Sequence, residues 1–134
     1  MLAFILSVIL SIEADFTQTK NVALMSEPQV STGHMVYRAP DYLQWAYITP
    51  QSVIWEVNGD QSNVSPQIQG LLRMIMASIE GEDPQDPKMK RESKRLFRDI
   101  RIEMDEAKGV AKQVQLIEKN GDITTIEFTN VITK

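Results

Sequence analysis

Cysteine is missing altogether from the 134 residues, and histidine occurs once, at His34. Without thiols there is no disulfide framework, no thiolate nucleophile and no thiolate metal site, and a single imidazole makes no multi-histidine centre. Neither a Gly-x4-Gly-Lys-Ser/Thr phosphate loop nor a Gly-x-Ser-x-Gly nucleophile elbow occurs. Long apolar runs are scarce. The main one, Leu2 to Ile12, is interrupted by Ser7 and Ser11 and is too short to cross a bilayer as a helix. Basic residues do not dominate either: 14 Lys and Arg stand against 18 Asp and Glu, a net charge of −4, and the pI near 5.0 gives no global attraction for nucleic acid. What is present, 43% hydrophobic and 24% charged residues, fits one domain over residues 1–134 with a modest core.

Charge is unevenly spread. Lys88, Lys90, Arg91, Lys94, Arg95, Arg98 and Arg101 crowd one stretch with only Glu92 and Asp99 among them, so a basic segment sits on an acidic body. Such a run is ordinarily a solvated face; its sharper reading is docking to an anionic surface. Just before it, residues 81–87 hold two prolines and three acids and read as an exposed loop, without the ligand spacing of a calcium site. Leu2 to Ile12 has the apolarity of a signal peptide's middle region, yet no Lys or Arg precedes it, and a structural helix is the favoured expectation.

After Phe16 the pattern alternates, as strands do. Strands are expected over 33–38, 42–48, 53–58, 100–105, 110–118 and 122–131, with Asn58-Gly59 and Asn120-Gly121 as hairpin turns. Leu43, Trp45 and Tyr47 share one face, and Val53, Trp55 and Val57 another. Pro66 opens a helix over 67–79, where Leu71, Leu72, Ile75 and Ile79 keep helical spacing beside Met74 and Met76. About seven strands and two apolar helices suggest an α+β fold, a curved antiparallel half-barrel with both helices covering its concave face.

Pro40-x4-Trp45-x4-Pro50-x8-Gly59, preceded by Phe16-Thr17-Gln18-x-Lys20 and Gly33-x3-Tyr37, resembles the outer-membrane lipoprotein carrier proteins, LolA-like, of Gram-negative bacteria. The tail Gly121-Asp122-Ile123-Thr124-Thr125-Ile126-Glu127-Phe128-Thr129-Asn130-Val131 is similar to the family's last strands. The resemblance covers nearly the whole chain, shortened before Lys88. It implies a periplasmic, non-enzymatic carrier that takes acylated lipoproteins from an inner-membrane release transporter to an outer-membrane acceptor. No cofactor, metal or nucleic acid is implied. Acyl chains would lie in an apolar pocket, for which Tyr37, Leu43, Trp45, Tyr47, Trp55, Leu72, Met74 and Met76 are the candidates. Methionine thioethers adapt to varied shapes, although residues at such spacing also build ordinary cores. Where the family often has an Arg directly before the first proline, holding a lid closed, this chain has Ala39, with Arg38 one residue earlier as the candidate cargo switch. Two alternatives stand beside the carrier: a binding module for other lipids or amphiphiles, and an esterase-like enzyme using His34.

Overall fold

Apolar and polar side chains already alternate from Ile12 through Ala14 to Phe16, four residues before the expected change of period. In the structure, a computed structural model describing residues 10–79, 87, 91, 94, 95 and 97–134, this stretch is the strand β1, Ser11–Asn21. Three hairpins follow: β2 (Gln29–Arg38), β3 (Tyr42–Thr49), β4 (Val53–Asn58) and the two-residue β5 (Gln61–Ser62). Helix α1 (Pro66–Ile79) comes next, and then β6 (Asp99–Asp105), β7 (Val110–Ile117) and β8 (Ile123–Thr133). The eight strands form one antiparallel sheet in the order β5-β4-β3-β2-β1-β8-β7-β6. Each half is a run of adjacent strands, and the two halves join where β1 pairs with β8. The turn before β8 uses Gly121 at φ +95°, a left-handed conformation that glycine adopts without strain.

One face of the sheet is buried and the other wet. On β1, Ile12, Ala14 and Phe16 are buried; their register partners on β2 are Tyr37, Met35 and Gly33, and on β3 the series continues with Leu43, Trp45 and Tyr47. Ile126 and Phe128 of β8 and Val114 and Leu116 of β7 extend the same face. Ser65 caps helix α1, its Oγ accepting a hydrogen bond from the Ile68 amide, with Pro66 at the first helical position, where its missing N–H costs nothing. Arg73 donates to the Gly59 carbonyl at 2.7 Å, and Ser62 donates to the Gln69 side chain at 3.2 Å, tying the helix to the β4–β5 turn. Leu72, Met74, Ile75 and Met76 are buried.

This corrects the expected fold class. The described residues form an eight-stranded sheet with one 14-residue helix, not an α+β half-barrel with helices covering its concave face. Geometry gives the reason: 14 residues make a helix about 21 Å long, while eight strands span about 34 Å side by side, so α1 shields only part of the face. The sheet's own aromatics fill much of the core. The helix expected over Leu2 to Ile12 is also corrected at its end, where Leu10 is not helical and Ser11 and Ile12 belong to β1; residues 2–9 lie outside the described residues. So do the acidic loop up to Asp86 and much of the basic segment, of which Arg91, Lys94, Arg95, Arg98 and Arg101 are described and exposed. No described helix is long and apolar enough to cross a membrane.

Candidate functional site

Five aromatic rings gather on the buried face. Phe16 stacks on Trp45 with centroids 4.0 Å apart, and Tyr47 and Phe128 meet that pair edge-on. Trp55 meets Tyr47 edge-on at 5.2 Å. Phe16 lies this low because its register partner is Gly33: a Cβ there would collide with the Phe16 ring and with the Ala46 carbonyl. Large rings cannot fill the space beneath a helix without residue, and a cavity of about 160 Å³ remains. Its apolar wall is Trp45, Tyr47 and Trp55 from β3 and β4, Leu71, Leu72 and Ile75 from α1, and Phe97, Leu116 and Ile126 from the far half of the sheet.

The polar part of the wall comes from β1, Glu118 and β8. Gln18 and Lys20 continue the inward series of Phe16, and Thr124 and Glu118 stand beside them. Lys20 Nζ lies 3.3 Å from Glu118 Oε2, an oxygen with no hydrogen-bond partner among the described residues, and the pair leaves this end of the cavity without net charge. Tyr47 donates its hydroxyl to Gln18 Oε1 at 2.8 Å. Burial pushes the Tyr47 phenol above its ordinary range, which keeps it protonated as a donor. A second, more open depression of about 220 Å³ adjoins, lined by Gln18, Ser31, Tyr47, Thr49, Pro50, Gln51, Val53 and Trp55.

Of the residues expected to form a pocket, Trp45, Tyr47, Trp55 and Leu72 line the first cavity. Tyr37, Leu43, Met74 and Met76 are buried in the core and line neither depression. Arg38 is exposed, its guanidinium 5.4 Å from the Tyr42 ring centre, on the opposite side of β2 from Tyr37. The sequence pattern does not single out Gln18, Lys20 and Glu118 as wall residues. Strict alternation continued from Phe16 would find the first two.

His34 points to the wet face. Its Nδ1 is 2.9 Å from Asp15 and its Nε2 2.8 Å from Glu13, while Asn130 donates to the other Asp15 oxygen at 2.9 Å. Hydrogen bonds donated to Asp15 and then to Glu13 raise the imidazole pKa; the bonds that Asp15 accepts from Asn130 and His34 lower its own. Both ring nitrogens are thus engaged by carboxylates, and neither faces a hydroxyl nucleophile. Among the described residues no group of three or more His, Asp or Glu is arranged to hold a metal ion. The chain matches no family model and no curated protein.

Proposed function

We propose that the protein is a non-enzymatic carrier of acyl chains, working in the periplasm as the lipoprotein carriers it resembles do. Acylated lipoproteins would be received from an inner-membrane release transporter and handed to an outer-membrane acceptor. The observation that carries this reading is the cavity between α1 and the aromatic face of the sheet, apolar along most of its wall and polar at one end. That polarity matches an alkyl chain with a polar linkage. A multiply acylated protein leaves a bilayer slowly, since each buried methylene contributes about 0.8 kcal/mol, so a shielding cavity is what transport needs.

The size of the cavity favours a second reading as well. An apolar cavity of about 150 Å³ accepts a benzene ring, so 160 Å³ admits about six carbons, and a smaller amphiphile fits without rearrangement. The esterase-like alternative draws no support from His34, because its imidazole is held between two carboxylates on the face away from the cavity. Native mass spectrometry of the purified protein, followed by displacement of a hydrophobic dye with palmitate, tests the carrier reading. Bound lipid or saturable one-site displacement is expected. A folded protein that carries no lipid and displaces no dye would end it.

A further inference from the structure

The two depressions share a wall. Gln18, Tyr47 and Trp55 line both, whereas Trp45 and Leu72 belong only to the inner one and Pro50 and Val53 only to the outer. The Tyr47–Gln18 hydrogen bond links two of the three shared residues. We propose that the depressions are two halves of one site for a single straight alkyl chain, and that this hydrogen bond is the gate between them. The proposal rests on the acyl-chain reading above and adds to it a capacity, a direction and a gating pair.

Capacity follows from volume. The inner space alone holds about six carbons, whereas joining the outer one more than doubles it, to about fifteen carbons at the same packing. That is one long chain and no more. Direction follows from the walls. Ser31, Thr49 and Gln51 surround the outer depression, which is the more open of the two, and these groups suit the polar end of a chain whose tail lies against Trp45 and Leu72. Gating follows from chemistry: Tyr47 and Gln18 satisfy each other while the site is empty, and a chain passing between them must separate the pair. Losing one net hydrogen bond lowers affinity about fivefold, and only for chains too long for the inner half.

Titration of the full chain with hexan-1-ol and decan-1-ol, followed by tryptophan fluorescence, tests the gate. Tyr47→Phe and Gln18→Met each remove the hydrogen bond while keeping the bulk of the side chain. Each should raise the ratio of decanol to hexanol affinity about fivefold, with one decanol per protein by native mass spectrometry. Circular dichroism melts establish that the variants are folded, and the two variants serve as checks on each other. An unchanged ratio in both folded variants, or two or more decanols per protein, overturns the gate while alcohol binding itself still supports the carrier. Failure of either alcohol to bind the wild type overturns the acyl-chain reading and the gate together.

Discussion

Replacing Gly33 by alanine adds one methyl group where the sheet has no room for it. The new Cβ would meet the Ala46 carbonyl oxygen, part of the β3 backbone, and the Phe16 ring, with its Cε2 at 2.7 Å. Neither neighbour is the free end of a flexible side chain. If Phe16 turns away, it loses its stack on Trp45, worth about 0.5–1.5 kcal/mol beyond burial, and leaves a gap in the core. If β3 retreats instead, ladder hydrogen bonds between β2 and β3 weaken at about 1 kcal/mol each. Overpacking of this kind costs about 1–3 kcal/mol in general, and the stiffer alanine returns about 0.4–1 kcal/mol through the unfolded chain. The expected net loss is about 1–2 kcal/mol. For a domain of this size that lowers Tm by about 4–7 °C.

Urea unfolding followed by tryptophan fluorescence measures the loss directly, and Gly109→Ala is the control. Gly109 has φ +69°, and a methyl group added there would find nothing within 4 Å, so its substitution costs only left-handed strain, about 1 kcal/mol. Phe16→Leu in the Gly33→Ala background should restore part of the loss, because a smaller side chain releases one of the two collisions. If Gly33→Ala is as stable as the wild type, the Phe16 ring does not lie over Gly33 and the aromatic wall is misdescribed.

Two further outcomes are expected. His34→Gln should cost stability at pH 6 and nothing at high pH: the carboxylates raise the His34 pKa above its ordinary 6.5, so its contribution is complete below that value and is lost as pH rises through the raised one. A stability difference independent of pH between about 5 and 9 would mean that the Glu13 and Asp15 contacts do not hold the imidazolium. Hydrogen exchange should change in α1 when decan-1-ol is added and stay constant in β6, since Leu71, Leu72 and Ile75 wall the cavity and no β6 residue does. Protection of α1 equal to that strand and indifferent to ligand would make it a fixed core element.

Strands are legible wherever alternation is strict and a turn residue marks the end. The pattern bounds β4 correctly at Val53 and Asn58, and Asn120-Gly121 announces the turn before β8. The beginning of β1 is not legible, because Leu2 to Ile12 is apolar at nearly every position and such a run carries no period to distinguish helix from strand. The expected fold class fails because periodicity locates α1 but does not show that its 14 residues cover only part of an eight-stranded sheet. Pocket residues divide similarly. Parity puts Trp45, Tyr47 and Trp55 on the inward face, yet it also puts Tyr37 and Leu43 there, and only the path of α1 decides which inward residues border a cavity. Lys20 and Glu118 meet across β1 and the turn after β7, a contact between residues nearly a hundred positions apart that no local pattern encodes.

Strand β1 is where these features converge. Lying between β2 and β8, it holds the two halves of the sheet together, and its alternation sends Phe16, Gln18 and Lys20 to the cavity side and Glu13 and Asp15 to the water side. Phe16 positions Trp45, Gln18 receives the Tyr47 hydroxyl, and Lys20 offsets Glu118, so three successive inward residues grade the site from apolar to polar. On the other face Asp15 binds both His34 of β2 and Asn130 of β8, a link across the same seam made by side chains. Asn130 occupies a left-handed conformation, φ +53°, where the β1–β8 register shifts between Glu13 and Asp15. An irregularity at the seam weakens the backbone ladder locally, and the His34, Asp15 and Asn130 chain spans that weak point. Chemistry on the wet face thereby steadies the strand whose inner face forms the wall of the cavity.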